Sequence, residues 1–214
     1  MTDFYQIFLQ NIYDTSILEI IAVVFGLLSV WFAKNANILV FPSGIISTCI
    51  YIYICFFAQL YADMGINLFY AGMSLYGWFI WTRTGVNKKV RPVSRNTKKE
   101  QWAGIAGVFV FFWVILGLLW IFKQNDPEYI NSYIPYIDAF TTSIFFVGMW
   151  FMARKKIENW IYWIVGDIIS VPLYFHKGLV FTSFQFFVFL ILAVMGYIQW
   201  KRMIADREQR NIEV

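Results

Sequence analysis

The sequence predicts an all-α membrane protein in which seven transmembrane helices form two three-helix repeats joined by a single helix (3+1+3). Composition is the first reason: of 214 residues, 60% are apolar and 14% charged, with a mean hydropathy of +0.60. A soluble domain has about 25% charged residues. The 21% aromatic content excludes a disordered or collagen-like chain. The other two reasons are the number of long apolar stretches and the similarity of their ends.

Seven stretches approach the roughly 20 apolar residues that cross a hydrocarbon core of about 30 Å. They cover residues 17–33, 38–60, 66–82, 102–122, 138–153, 160–175 and 179–200. We therefore expect one transmembrane domain over 1–214, with no room for an extramembrane catalytic domain. Its parts are a first repeat at 17–82, a basic cytoplasmic loop at 83–101, a connecting helix at 102–122, a second repeat at 138–200 and a cytoplasmic tail at 201–214.

The basic residues predict the orientation. With seven spans, 15 of the 17 Lys and Arg residues fall on one side, and only Lys123 and Lys177 fall on the other. Because positively charged loops stay in the cytoplasm, the N-terminus is expected outside and the C-terminus inside. The net charge of +4 then needs no nucleic-acid partner.

An internal repeat with an offset of 119 residues is visible at the ends of the spans. Gly77–Arg83 is similar to Gly196–Arg202, and Trp31–Ala33 is similar to Trp150–Met152. The second and sixth spans share further residues only after a three-residue shift, namely Asn37 with Asn159 and Gly44 with Gly166. An odd number of spans per repeat needs a connecting helix to give parallel repeats. The alternative is that Trp and Arg arose independently as interface anchors.

The sixth span carries the most informative polar residues. Trp160, Trp163, Asp167, Ser170 and Tyr174 follow steps of 3, 4, 3 and 4, which place them on one helical face. A carboxylate near mid-span is too costly to face lipid, so this face is expected to line the bundle interior. Two indoles beside an acid would suit a flat, positively charged ring. The alternative is that the indoles pack helices and Asp167 bonds to a neighbour.

Weaker candidates lie in the third and seventh spans. Asn67, Tyr70 and Ser74 form a second stripe at helical spacing, and Gln185 lies deep in the seventh span. We expect these side chains to line the same pocket, although small and polar residues also occur at ordinary helix contacts.

Enzymes and metal proteins are not indicated. The chain has one histidine, His176, and two cysteines, Cys49 and Cys55, and it lacks phosphate-binding and metalloprotease motifs. We therefore predict no catalytic residue, no metal site and no cofactor. The sequence also shows no ladder of acids and histidines for proton coupling.

Two elements resemble the PnuC family of bacterial vitamin transporters, namely Trp160-x-x-Trp163-x-x-x-Asp167 and Gly77-Trp78-x-x-Trp81. The resemblance implies an architecture similar to full-length SWEET transporters, a homotrimer, and a place in the bacterial cytoplasmic (inner) membrane. It implies uptake of nicotinamide riboside by facilitated diffusion, with trapping by a cytoplasmic kinase. Substrate binding would then fall to Trp160, Trp163 and Asp167.

Asp167 departs from the family pattern, in which Asn is expected. An ionised Asp only accepts hydrogen bonds, which would suit the amine of thiamine, the substrate of a related branch. The resemblance also implies riboflavin as the solute of other members of the family. Outside this family, the alternatives are a membrane scaffold that moves no solute and an ion channel.

Overall fold

A computed structural model describes residues 16–83 and 91–212, and within these residues the fold is helical. The helices are α1 (Ile17–Lys34), α2 (Val40–Phe57), α3 (Tyr61–Thr82), α4 (Lys98–Phe122), the one-turn α5 (Pro127–Ile130), α6 (Ile134–Ala153), α7 (Asn159–His176) and α8 (Val180–Ile212). The prediction of an all-α membrane fold is confirmed. Three parts of the sequence discussed above lie outside the described residues. They are Lys88 and Lys89 of the predicted basic loop, the N-terminal Asp3 and Asp14, and residues 213–214 of the predicted tail.

Five of these helices, α1, α2, α4, α6 and α8, are long and apolar enough to cross a membrane. The other two long helices, α3 and α7, carry the two polar stripes noted above and are less apolar. The last predicted span ends at residue 200, whereas α8 continues for three further turns through the first part of the predicted tail.

Side chains cap the helices where the sequence supplies suitable residues. Ser16 accepts a hydrogen bond from the Glu19 amide at the start of α1. Thr97 and Glu100 form a reciprocal capping box at the start of α4. Glu100 also pairs with Lys156 at 2.9 Å and Arg154 at 3.1 Å, which ties the start of α4 to the turn between α6 and α7.

The helices pack as two triplets. In the first triplet α2 packs against α1 and α3, and in the second triplet α7 packs against α6 and α8. The triplets meet chiefly along two interfaces, α1 with α8 and α3 with α6, while α4 packs on the outside of α6. The bundle therefore has six helices around its centre and one beside it.

A constant offset of 119 residues relates the two triplets. Val40–Phe57 maps onto Asn159–His176, and the first residue of α3 maps onto the first residue of α8. The four described residues with positive φ obey the same offset: Ala36 (50°) with Lys155 (56°), and Gln59 (59°) with Gly178 (75°). The three-residue shift inferred from Asn37 and Gly44 is therefore wrong, because shared residue types misplaced the register of α2 against α7.

The two ends of the bundle differ in charge. We call the end where α1 and α6 finish the basic end, since Lys34, Arg91, Arg95, Arg154 and Lys156 gather there. We call the opposite end the acidic end. There Asp138 accepts hydrogen bonds from Lys177 at 2.8 Å and from the Tyr129 hydroxyl at 2.7 Å. Burial and the Asp138 charge raise the pKa of the Tyr129 phenol.

The basic end is closed by four buried rings, Phe41, Trp81, Trp160 and Trp200, which we call the aromatic seal. Phe41 contacts Trp81 edge-on with ring centres 4.9 Å apart, and Trp160 contacts Trp200 edge-on at 5.6 Å. These two pairs are also related by 119 residues. Each ring of α2 or α7 packs against a glycine of the next helix, Phe41 on Gly77 and Trp160 on Gly196.

We expect Gly77→Ala to lower the melting temperature of the purified protein. A Cβ at Gly77 would overlap the Phe41 ring and lie 3.2 Å from Ala153, so the seal must move. The matched control is Gly72→Ala on the same helix, where nothing lies within 4 Å of the added methyl group. Equal melting temperatures for Gly77→Ala and Gly72→Ala would contradict this packing.

Candidate functional site: a central cavity

A cavity of about 250 Å³ lies at the centre of the bundle, on the acidic side of the aromatic seal. All six helices of the two triplets contribute to its wall, and α4 does not. The wall residues are Gly26, Ser29, Val30, Ala33, Val40, Gly44, Ser47, Thr48, Tyr51, Asn67, Tyr70, Ser74, Phe145, Met149, Met152, Trp160, Trp163, Asp167, Gln185, Phe186, Phe189 and Ala193. The cavity is of the size that holds one small solute.

The wall repeats with the same offset as the helices. Eight wall residues of the first triplet have a counterpart 119 residues later that also lines the cavity. The pairs are 26/145, 30/149, 33/152, 44/163, 48/167, 67/186, 70/189 and 74/193. Equivalent positions of the two triplets thus face each other across one space.

The two sides of the cavity differ chemically although they are related by position. The first triplet contributes small and polar groups, such as Gly44, Thr48 and Asn67. At the equivalent positions the second triplet has Trp163, Asp167 and Phe186. One side can therefore stack on a ring, and the other offers hydroxyl and amide groups.

Seven of the eight residues that the sequence nominated lie on the cavity wall. They are Trp160, Trp163, Asp167, Asn67, Tyr70, Ser74 and Gln185. The eighth, Tyr174, lies behind the wall and stacks on Phe186 with ring centres 4.9 Å apart and planes 8° apart.

Asp167 is the electrostatic centre of the site. The residue is 1% exposed, and neither carboxylate oxygen has a hydrogen-bond partner among the described residues. A buried, unpaired carboxylate costs several kcal/mol. The cost falls if the cavity holds a cation or a hydrogen-bond donor.

Trp163 lies beside two other rings. Its ring is 5.2 Å from that of Phe145, with planes 28° apart, and 6.5 Å from that of Tyr70, with planes 27° apart. Gly166 fits beneath Phe145, because a Cβ there would overlap the ring. The aromatic side of the cavity is therefore held in place by packing.

Trp160 and Trp163 have different surroundings. Trp160 is only 2% exposed, belongs to the aromatic seal, and has an indole nitrogen without a partner among the described residues. Trp163 is half-buried and faces the cavity more openly. The two indoles therefore do not form the matched pair of open faces that the spacing suggests.

Sequence reasoning missed Tyr51, Phe145 and Phe186. The offset of 119 could have found Phe186, since it is the counterpart of the nominated Asn67. Asn67 itself donates to the Asp63 carbonyl at 2.9 Å, which leaves its side-chain oxygen free to accept.

Comparison with known proteins identifies the family. Residues 16–202 match the sequence profile of the nicotinamide mononucleotide transporter family. The chain belongs to this family. Its members are named as transporters, which confirms the prediction of a membrane transporter and not an enzyme.

This chain is similar to two named transporters and to one solved structure. The nicotinamide riboside transporter PnuC of Escherichia coli is 26% identical over 222 residues, covering 94% of this chain and 91% of that protein. The riboflavin/roseoflavin transporter RibM of Streptomyces davaonensis is also 26% identical and covers 85% of this chain and 83% of its own. A crystal structure of the vitamin B3 transporter PnuC superposes with a TM-score of 0.67 at 22% identity, covering 95% of this chain and 90% of that one. That structure supports the fold of the nicotinamide mononucleotide transporter family for this chain.

We expect Gly166→Ala to change the near-ultraviolet circular dichroism of the purified transporter. The new methyl group would displace Phe145 and, through it, the Trp163 ring, while the helices remain. Gly117→Ala in α4 is the matched control, because nothing lies within 4 Å of that position. Identical near-ultraviolet spectra for the wild type and Gly166→Ala would show that Phe145 does not hold Trp163.

Proposed function

We propose that the protein takes up nicotinamide riboside, a vitamin precursor, across the bacterial inner membrane. One observation carries this proposal: the buried Asp167, whose carboxylate has no hydrogen-bond partner among the described residues, lines a central cavity with an aromatic wall. Nicotinamide riboside carries a flat pyridinium ring whose positive charge would compensate the carboxylate and stack on Trp163. Relatives named as nicotinamide riboside transporters support the same solute.

The chemical difference between the two sides of the cavity suggests how the solute lies. The pyridinium ring would face Trp163 and Phe145 of the second triplet. The ribose hydroxyls would face the first triplet, where Thr48, Asn67 and Ser74 line the wall. We assign substrate binding to Trp160, Trp163 and Asp167, with Asn67, Tyr70, Ser74 and Gln185 as further wall contacts and Tyr174 as support.

Thiamine is the second candidate solute. It is also a flat cation, and its aminopyrimidine amine could donate to the acceptor-only carboxylate of Asp167. Riboflavin, named for the relative RibM, lacks the positive charge that Asp167 favours. A scaffold without a solute would not need a central cavity lined by an acid that has no hydrogen-bond partner among the described residues.

We propose a topology of seven spans in a 3+1+3 parallel arrangement, similar to SWEET transporters, with the N-terminus outside. The constant offset of the helices and of the positive-φ residues supports the repeat. The charge of the basic end supports its cytoplasmic position. A homotrimer is implied by the resemblance to the family and stays a prediction.

The proposed mechanism is facilitated diffusion by alternating access. The aromatic seal blocks the way from the cavity to the basic end, so the solute cannot pass in a single open state. Direction would come from a cytoplasmic kinase that phosphorylates the solute and thereby traps it.

We expect Asp167→Ala to weaken nicotinamide riboside binding roughly tenfold to a hundredfold, and Trp163→Ala to weaken it roughly twofold to thirtyfold. Losing a cation–π contact costs about 0.5–2 kcal/mol, and losing a charge-assisted hydrogen bond about 1.5–3 kcal/mol, at 1.4 kcal/mol per tenfold. Isothermal titration calorimetry on the purified variants measures the dissociation constant of each. Asp167→Asn should spare nicotinamide riboside and weaken thiamine.

The matched control for these variants is Ile168→Ala, which alters an exposed neighbour on α7 and should bind as the wild type. If Trp163→Ala and Asp167→Ala also bind as the wild type while remaining folded, the solute binds elsewhere.

We expect proteoliposomes that contain the protein to equilibrate nicotinamide riboside without accumulating it. Asp167 is the only acid among the nominated cavity residues, and we assign it to solute binding and not to proton transfer. An imposed proton gradient should therefore not drive uptake. Radiolabelled uptake with and without the gradient measures this. Accumulation beyond equilibrium with the gradient alone would refute facilitated diffusion.

A further inference from the structure

Two tryptophans of the aromatic seal, Trp81 of α3 and Trp200 of α8, make hydrogen bonds of the same kind. The indole nitrogen of Trp81 donates to the backbone carbonyl of Ala153 at 3.1 Å. The indole nitrogen of Trp200 donates to the backbone carbonyl of Ala33 at 3.0 Å. Both indoles are buried, with 4% and 0% exposure.

Each of these bonds joins one triplet to the other. Trp81 lies on α3 and Ala153 at the end of α6, while Trp200 lies on α8 and Ala33 at the end of α1. These are the two interfaces along which the triplets chiefly meet. A side-chain hydrogen bond between Tyr51 of α2 and Gln185 of α8 also crosses between the triplets.

The accepting carbonyls lie in the last turns of their helices, where the regular intrahelical donors run out. The Ala33 carbonyl also accepts from the Ala36 amide at 2.9 Å. Ala33 and Ala153 are buried, so water does not satisfy them. The two indole N–H groups therefore stabilise the closed arrangement of the basic end in particular. If the triplets separate there, both bonds must break.

The two bonds also lie on the route that a solute would take. Ala33, Met152 and Trp160 line the cavity, and Trp160 contacts Trp200 directly. The rings of Trp81 and Trp200 lie 6.4 Å apart at a tilt of 49°, which leaves no passage for a solute between them. Any movement from the cavity to the basic end therefore has to separate these rings.

The two tryptophans differ in one contact. The Lys155 ammonium lies 4.1 Å from the centre of the Trp81 ring, whereas the counterpart of Lys155 beside Trp200 is Ala36. Lys155 is 5% exposed. The bond from Trp81 to Ala153 is therefore supported by a cation–π contact that the bond from Trp200 to Ala33 lacks.

We propose that Trp81 and Trp200 are paired gating residues, whose bonds to Ala153 and Ala33 hold the basic end closed and break together when the solute leaves toward that side. The proposal rests on transport by alternating access. It assigns the two residues a role in the movement of the protein and not in solute recognition.

Trp81→Phe and Trp200→Phe test the gate, because each removes the N–H donor and keeps an aromatic ring. The reporter is Ser74→Cys on the cavity wall, in a chain whose Cys49 and Cys55 are replaced by serine. The probe is a membrane-impermeant, cationic methanethiosulfonate reagent, added to inverted vesicles so that it meets the basic end. Loss of one neutral hydrogen bond should raise the labelling rate roughly threefold to tenfold, and the double variant should exceed either single one.

Trp78→Phe is the matched control, since Trp78 lies on the same helix and is 40% exposed; it should label as the reporter alone. An equal rise in labelling from both sides of the membrane would indicate general loosening and overturn the gate. Unchanged labelling in the double variant would also overturn it.

The labelling assay needs no solute, so it separates the gate from the proposed substrate. Nicotinamide riboside binding and uptake by Trp81→Phe and Trp200→Phe are measured in parallel in a chain that keeps Ser74. Unchanged labelling with normal uptake would refute the gate alone, whereas faster labelling without nicotinamide riboside binding would refute the substrate alone.

Discussion

Inside a bundle of apolar helices, the carbonyls of the last helical turn need donors that water cannot provide. In this protein the ends of α1 and α6 obtain those donors from indoles of the opposite triplet. Each triplet thus supplies one indole donor to a helix end of the other triplet at the basic end. The aromatic seal, the glycines beneath it and the position of the cavity all follow from this exchange.

Size complementarity decides how one repeated frame gives two different walls. Gly44 of α2 lies against Ser29 of α1, and at the equivalent positions Trp163 of α7 lies beside Gly148 of α6. In the first triplet the glycine of this contact is Gly44 on α2, and in the second triplet it is Gly148 on α6. An indole therefore enters the cavity from the second triplet only. A symmetric frame thus forms a site suited to an asymmetric solute.

The cost of burying Asp167 connects the cavity to its solute. Its equivalent in the first triplet is Thr48, which satisfies itself by donating to the Gly44 carbonyl at 2.9 Å. Asp167 has no such internal partner among the described residues. Under the proposed function, a bound cation would recover the free energy that the fold loses by burying this acid, so affinity and charge selectivity would have one origin.

The sequence by itself determined the class of protein, the family and most of the candidate site. Hydropathy gave the bounds of the long helices to within a few residues, apart from the C-terminal end of α8. Helical spacing placed Trp163, Asp167, Asn67 and Tyr70 on inward faces, because a polar side chain is costly in lipid. Spacing along one helix carries no information on what packs against it. Only the tertiary structure showed that Trp160 is packed in the seal, that Phe145 and Phe186 complete the wall, and that α2 and α7 align without a shift, since these depend on contacts between helices distant in the chain.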